Sequence, residues 1–187
     1  MITDNDVAPL SQSSPPRHGF EFIIASPAVA ADDAEAIRAF WRREGALTDD
    51  AQMNQRLTQV IMHARTLTGE VAGVCTATPV TSPRLMQPMY YWRTFIGRQW
   101  RSSQLVMAML KKSCVHLEKI ARASDFPCIG VLLELENDRF RERGRVAAWW
   151  NPPFVYIGRS ARGLDLRVLY FRGARLKSAA SIPDPPM

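Results

Sequence analysis

No apolar run in this chain approaches the length of a membrane span. The longest are pieces such as 105–110, which excludes a bilayer-crossing helix. Histidine and cysteine are scarce and scattered. Cys75, Cys114 and Cys128 are odd in number and lack metal-ligand spacing, so neither a zinc site nor complete internal pairing is expected. His18, His63 and His116 lie far apart and form no metal spacing or catalytic dyad, which makes them structural or surface residues. Ser113-Cys114 lacks the strand–turn–helix setting of a nucleophile elbow, so hydrolase chemistry has no support. The beginning, with Thr3, Asp4, Asn5 and Asp6, is acidic and polar rather than basic and apolar. It does not read as a signal peptide, and together with the unpaired thiols it points to a reducing cytoplasm. Internal repeats and linkers are absent as well.

What is present suits one globular domain. The chain has 187 residues, 47% hydrophobic and 22% charged, enough to bury a substantial core. Residues 1–17, with Pro9, Pro15, Pro16 and several serines, read as a flexible tail. Residues 178–187, with Pro183, Pro185 and Pro186, read as a second, leaving a domain over 18–177. The net charge of +6 comes from arginines gathered in 93–101, 139–145 and 159–177. Such a charge favours acidic partners: phosphorylated cofactors, acidic protein surfaces or nucleic acid. No nucleic-acid motif accompanies it, and a surface charged for solubility is the plainer alternative.

Periodicity orders the elements. Residues 19–25 read as a strand; Asp32 and Asp33 open a helix with Ile37, Phe40 and Trp41 on one face. Thr48-Asp49-Asp50 caps a second helix carrying Met53 and Leu57. Residues 60–67 and 71–80 form a hairpin around Thr68-Gly69-Glu70, although 60–64 could also extend the helix. A strand over 89–96 leads into a long helix capped by Ser102 or Ser103, with Val106, Leu110, Cys114, Leu117 and Ala121 inward. A strand over 127–136 is apolar on both faces. A basic helix over 138–150 ends at Pro152-Pro153, and strands over 154–158 and 165–171 complete the order. A mixed α/β sheet flanked by helices follows.

The passage from the strand at 89–96 into the helix is the first place to look for a ligand. The first N–H groups of a helix have no intrahelical acceptor, the dipole adds positive charge, and Arg98 and Arg101 strengthen that field. A phosphate-bearing ligand fits those properties.

The element order and this turn resemble the acetyl-coenzyme A-dependent N-acetyltransferase (GNAT) superfamily over about 19–172. The family's phosphate-loop pattern, Arg/Gln-x-x-Gly-x-Gly/Ala, falls on Arg101-Ser102-Ser103-Gln104-Leu105-Val106: the arginine is kept, while Gln104 and Val106 stand at the small positions. The family's Tyr, five residues before the Phe of a Gly-Phe pair, falls on Trp149, with Phe154 matched and Pro153 in place of the glycine. The resemblance implies a mixed, mostly antiparallel central sheet flanked by helices, with acetyl-coenzyme A as cofactor. It implies direct attack of an amine on the coenzyme A thioester.

Residue by residue, it places the pyrophosphate on N–H groups of Ser102, Ser103, Gln104, Leu105 and Val106, with Arg98 or Arg101 adding charge. The pantetheine arm would pair with Phe95 and Ile96, as an added strand does. Asn137 could hydrogen-bond the arm or cap a helix with Asp138. Tyr90 stands roughly where many family members carry a general-base glutamate, and tyrosine is a poor base near neutral pH. Glu134 and Glu136 share a strand face, and Glu136 is the carboxylate candidate. Tyr156 is the candidate acid, because the indole of Trp149 only donates a hydrogen bond. The acceptor is an amine or a protein, expected to be acidic given the basic chain, and a dimer through the terminal strands is compatible with the pattern. The missing loop glycines, strand carboxylate and tyrosine also fit another reading, a non-catalytic GNAT-like protein that binds or inhibits a macromolecular partner.

Overall fold

The computed structural model describes residues 19–25, 28–101, 104–136 and 146–178. The expected tail at 1–17, nearly all of the one at 178–187, Ser102, Ser103 and Asn137 lie outside the described residues.

Each helix follows from local signals. α1 (Ala31–Glu44) has Asp32 and Asp33 in its first turn and Arg42 and Arg43 in its last, complementing the dipole. It ends at Gly45, whose φ of 67° only glycine adopts without strain, so that Gly45 and Ala46 N–H groups reach the Arg42 and Trp41 carbonyls. α2 (Asp50–Leu57) is capped by Asp49, which accepts from the Gln52 N–H at 2.8 Å. The strands β1 (Phe20–Ile24), β2 (Val60–Thr66), β3 (Val71–Ser82) and β4 (Gln87–Ile96) form an antiparallel meander. A 3-10 turn (Arg98–Trp100) leads to α3 (Leu105–Ala123) and then to β5 (Gly130–Leu135), β6 (Val155–Arg159) and β7 (Asp165–Tyr170).

The seven strands lie in the order β1-β2-β3-β4-β5-β7-β6, antiparallel throughout except for β4 beside β5. That single parallel pair requires a crossover, and α3 supplies it. The expected mixed, mostly antiparallel sheet flanked by helices is therefore the observed one. β2 begins at Val60, so the ambiguous stretch is strand rather than helix. The expected helix over 138–150 is corrected where it can be seen. Residues 137–145 lie outside the described residues, and 146–150 are not helical: Ala148 bridges Val155, and the Trp149 N–H donates to the Phe154 carbonyl at 2.8 Å.

Alternation sorts side chains onto two faces. Tyr90, Trp92 and Ile96 of β4 and Leu133 of β5 join the core beneath α3, packed on Leu105, Met109, Leu110 and Leu117. Phe95 packs with Phe40 of α1 on the opposite face, their rings edge-to-face at 5.7 Å. Odd positions of β4 thus face α1 and α2, and even positions face α3. Gly130, at the start of β5, allows a close approach: a Cβ there would lie 2.1 Å from the Leu169 carbonyl oxygen of β7.

The cysteines are free and buried, their thiols pushed up to about 12 by burial, which leaves them unreactive. His63 on β2 is buried, with Nε2 3.6 Å from Asp33 Oδ1, while Asp33 is bonded to Arg65. Neither His63 ring nitrogen makes a hydrogen bond among the described residues. Burial pushes its pKa down; Asp33 opposes this without prevailing, and Arg65 adds to it. Because the folded pKa lies below the unfolded value of about 6.5, the unfolded chain takes up the proton first. Stability is therefore full above about pH 6.5 and declines as pH falls through the folded pKa. His116 shifts in the same direction, also through burial. Urea unfolding should show a lower midpoint at about pH 5.5 than at pH 7.5, and His63→Gln should remove part of that difference. An unchanged pH dependence in the variant would free His63 of this role.

Candidate functional site

β4 and β5 are in register only at Tyr90↔Val131 and Tyr91↔Leu132. Both strands continue, β4 to Ile96 and β5 to Leu135, but each then follows its other neighbour: β4 stays on β3, and β5 stays on β7. The sheet therefore opens into a V at the carboxyl ends of its parallel pair, the usual place for a ligand crevice in such an arrangement. A cleft of about 920 Å³ occupies the opening.

The V exposes backbone. The Gly97 N–H donates to the Ala72 carbonyl, and the Ile129 N–H donates to the Pro88 carbonyl, both at 2.9 Å. Backbone groups alternate sides along a strand, so odd-numbered positions of β4 bond to β3 and even-numbered ones face β5. Beyond the last register pair, the groups of Thr94 and Ile96 face the gap with no strand opposite them among the described residues, the Ile96 carbonyl accepting from Arg101 Nε. An extended ligand with amide groups can bond there as an added strand would.

One wall of the cleft comes from β4 and the start of α3: Phe95, Ile96, Arg101 and Val106, with Trp100 beside them. Gln104 makes no side-chain cap and the first turn of α3 holds no acidic residue, so nothing in that turn repels an anion. Arg101 folds back onto β4. Its Nε donates to the Ile96 carbonyl at 3.2 Å, and its guanidinium lies 5.6 Å from the Phe95 ring centroid. Arg98 is exposed and does not line the cleft; its N–H is taken by Glu44 Oε2 at 3.0 Å. Leu105 is buried beneath the turn and Gln104 is exposed, and neither lines the cleft.

The face towards α1 and α2 carries the ionisable groups. The Tyr91 hydroxyl donates to Glu134 Oε2 at 2.5 Å. The Arg93 guanidinium sits 4.6 Å from the Tyr91 ring centroid. Arg162 approaches Glu134 at 3.8 Å and Glu136 at 2.6 Å. Burial alone would raise the Glu134 pKa, but hydrogen bonds from Ser160 and Tyr91 and the charges of Arg162 and Arg93 outweigh it. They hold the carboxyl below its ordinary range. The Tyr91 phenol moves the other way, pushed up by burial and by its bond to Glu134, and stays protonated. The pair is thus a fixed carboxylate supported by a phenol, at the point where the strands part.

Of the catalytic candidates, only Glu136 lines the cleft, at an exposed rim position paired with Arg162. Tyr90 does not reach the cleft: it is buried on the α3 face, with its ring 6.2 Å from Phe171 and its pKa raised by burial. Tyr91 points into the cleft instead, because one step along a strand reverses the face. Tyr156, on β6, is partly exposed and lies outside the cleft lining. Sequence reasoning missed Tyr91, Arg56, Arg93 and Arg162 as cleft residues. The period-2 rule applied to the buried Tyr90 would have found Tyr91, but no local signal places the end of α2 or the turn bearing Arg162 beside β4.

Trp149 forms the far wall. Its ring meets Phe154 edge-to-face at 6.0 Å, and the Arg167 guanidinium lies 4.5 Å from its centroid. Arg167 is fully buried, and its Nη2 donates to the Val146 carbonyl at 2.8 Å. The guanidinium spends its donors and its π-facing surface on pinning 146–149 against β7, which fixes the cleft wall.

No family profile matches the chain, and no curated protein sequence matches it either. Solved structures do match. A GNAT-family acetyltransferase from Streptococcus pneumoniae superposes with a TM-score of 0.52 at 18% identity, covering 81% of this chain and 99% of the other. The ribosomal-protein-S5-alanine acetyltransferase from Vibrio fischeri gives 0.55 at 9% identity, covering 83% and 95%. A structure described as a bacterial toxin gives 0.55 at 15% identity, covering 83% and 92%. The chain has the GNAT fold, in a form highly divergent in sequence from these neighbours.

Replacing Arg167 with Ala should remove about 2–4 kcal/mol of stability through lost packing and the loss of the bond to the Val146 carbonyl. Urea unfolding measures it, and an unchanged midpoint would show that Arg167 does not hold the wall.

Proposed function

We propose that the protein is an acyl-coenzyme A-dependent N-acyltransferase, taking acetyl-coenzyme A and transferring its acyl group to an amine. The observation that carries this reading is the parting of β4 and β5, which leaves the inward backbone of Thr94 and Ile96 facing a cleft of about 920 Å³. The cleft suits the elongated amide-bearing arm of coenzyme A: amide-pairing groups run along β4, and a helix N-terminus without acidic residues stands at the end of that strand. Arg101 lies where the phosphates would arrive and can exchange its bond to Ile96 for them. Membership of the GNAT family is part of this proposal.

When bound, the thioester would supply an acyl carbon to an amine nitrogen, with the amide C–N bond replacing C–S, the sulfur leaving as coenzyme A thiolate and the amine giving up one proton. The protein's own groups then have two tasks. The positive charges of Arg56, Arg93 and Arg162 disfavour an ammonium beside them and so help to deliver the acceptor as a free amine. Glu134, ionised and facing the acceptor side, can take the proton lost on attack, with Tyr91 and Ser160 holding the carboxylate in place. Glu134 is preferred to Glu136 because it sits deeper, at the branch of the V. Tyr156 has no such position.

Calorimetric titration with acetyl-coenzyme A should show saturable binding, and Arg101→Glu should weaken it about tenfold or more. No binding at about 1 mM would overturn the reading. An unaltered affinity in Arg101→Glu would move the phosphates away from this turn. Once an acceptor is identified, Glu134→Gln should lower kcat by about 10²-fold with acetyl-coenzyme A affinity unchanged. Equal turnover would remove Glu134 from proton transfer.

The second reading, a non-catalytic module that binds or inhibits a macromolecule, is favoured by one observation. Gln104 and Val106 occupy the turn's small positions, and Arg101 is bonded back onto β4. Absence of cofactor binding, with recovery of a specific partner by the intact chain, would favour it.

A further inference from the structure

Of the four arginines that line the cleft, Arg162 is committed to Glu134 and Glu136, and Arg101 to the Ile96 carbonyl and the Phe95 ring. Elsewhere Arg38, Arg42, Arg43, Arg65, Arg122 and Arg159 each reach a carboxylate. Arg56 and Arg93 line the cleft and form no ion pair among the described residues. They come from separate elements, the last turn of α2 and the middle of β4, and stand near enough that the charge of Arg93 depresses the pKa of Arg56, after burial as the larger cause. Arg56 is half-buried and Arg93 is exposed over the Tyr91 ring, and two like charges on one cleft wall favour an anion that joins them. Glu134 feels the charge of Arg93 but is bonded to Tyr91 and Ser160 and paired with Arg162, so one shared carboxylate faces several guanidinium groups.

The side of the sheet decides whose anion this is. Arg93 is an odd position of β4 and faces α1 and α2, whereas the start of α3, where the cofactor phosphates are placed above, lies beyond the end of β4 and follows the opposite face. The pair therefore stands on the acceptor side, beside Tyr91 and Glu134.

We infer that Arg56 and Arg93 form a receptor for an anionic group, a carboxylate or a phosphate, carried by the acceptor amine close to its nitrogen. This rests on the acyltransferase reading for the word acceptor, but the anion receptor itself is a property of the two side chains. A planar guanidinium offers paired donors to either oxyanion, and two of them on different elements fix its orientation. With the anion seated there, the amine end of a short molecule lies towards Glu134 and the branch of the V. Neutral amines of the same length gain nothing from the pair.

The test uses the intact protein and three probes of similar length: O-phosphoethanolamine, β-alanine and ethanolamine. Binding is read from NMR shifts of the arginine side-chain N–H groups and, in parallel, by calorimetry, with and without acetyl-coenzyme A. One or both anion-bearing amines should bind at least tenfold more tightly than ethanolamine and shift Arg56 and Arg93 signals. The relative strength of the phosphate and carboxylate probes tells which anion is preferred. Arg56→Ala and Arg93→Ala should each abolish most of that preference while acetyl-coenzyme A affinity stays within about twofold of the parent. If ethanolamine binds as well as the other two, or if neither anion-bearing probe binds, or if the variants keep the preference, the proposal is overturned. Anion binding without acetyl-coenzyme A binding would overturn the acyltransferase reading and leave the receptor standing. Retained acetyl-coenzyme A affinity in the variants also shows that they fold.

Discussion

The molecule is organised by a weak seam. β4 is tied to β3 over ten register pairs and β5 to β7 over six, yet β4 and β5 share only two. Each half of the sheet is thus built by local, antiparallel pairing, and the halves meet through a short parallel contact with α3 laid across it. Two register pairs cannot impose a common twist on two well-paired half-sheets, so the strands part where the pairing ends. The cleft is the geometric consequence, and every group with chemical potential in this chain is placed by its distance from that branch point.

Electrostatics follow the same division. On the α3 face the wall is aromatic and aliphatic, and Arg101, beyond the end of β4, is satisfied by the Ile96 carbonyl and the Phe95 ring. On the other face lie Tyr91, Glu134, Arg93, Arg56 and Arg162, where charge is concentrated and only partly cancelled. Arg167, by contrast, is buried and committed to backbone carbonyls and the Trp149 ring, a structural use of the same residue type. Counting arginines therefore says little about ligands. What separates the roles is whether a guanidinium has been given a partner by the fold.

This explains which features were legible in the sequence. The helices announced themselves through Asp49, the acidic first turn of α1 and the apolar spacing of α3; the strands did so through alternation and the Gly69 turn. Those signals are local, and the element order they gave was enough to anticipate the sheet. The site was read less well because it depends on register and on contacts between distant segments. Tyr90 and Tyr91 are equivalent in sequence, and only the packing of one against Phe171 decides that the other faces the cleft. Residues 146–150 have a helical composition, but Arg167, far along the chain, holds their carbonyls in another conformation. Phe95, Ile96, Arg101 and Val106, expected at the cofactor, line the cleft because strand and turn position alone place them there.

The turn between β4 and α3 shows how such a fold can diverge while keeping its shape. Glycine at positions 104 and 106 would allow the closest backbone approach by a pyrophosphate, but neither Gln104 nor Val106 needs a glycine conformation, since Gln104 has φ −79° and Val106 lies within α3. Neither residue therefore strains the start of α3, and what the Val106 side chain takes up is the space in front of it. Val106 contributes an apolar surface to the cleft, so a phosphate there would depend less on backbone alone and more on the charge of Arg101. Glycines at these positions would change how tightly a ligand could sit in the split of the sheet without altering the split itself. Sequence can drift far at such a turn before the architecture records any loss, which is why the chain keeps the GNAT fold at identities of 9–18% to these neighbours.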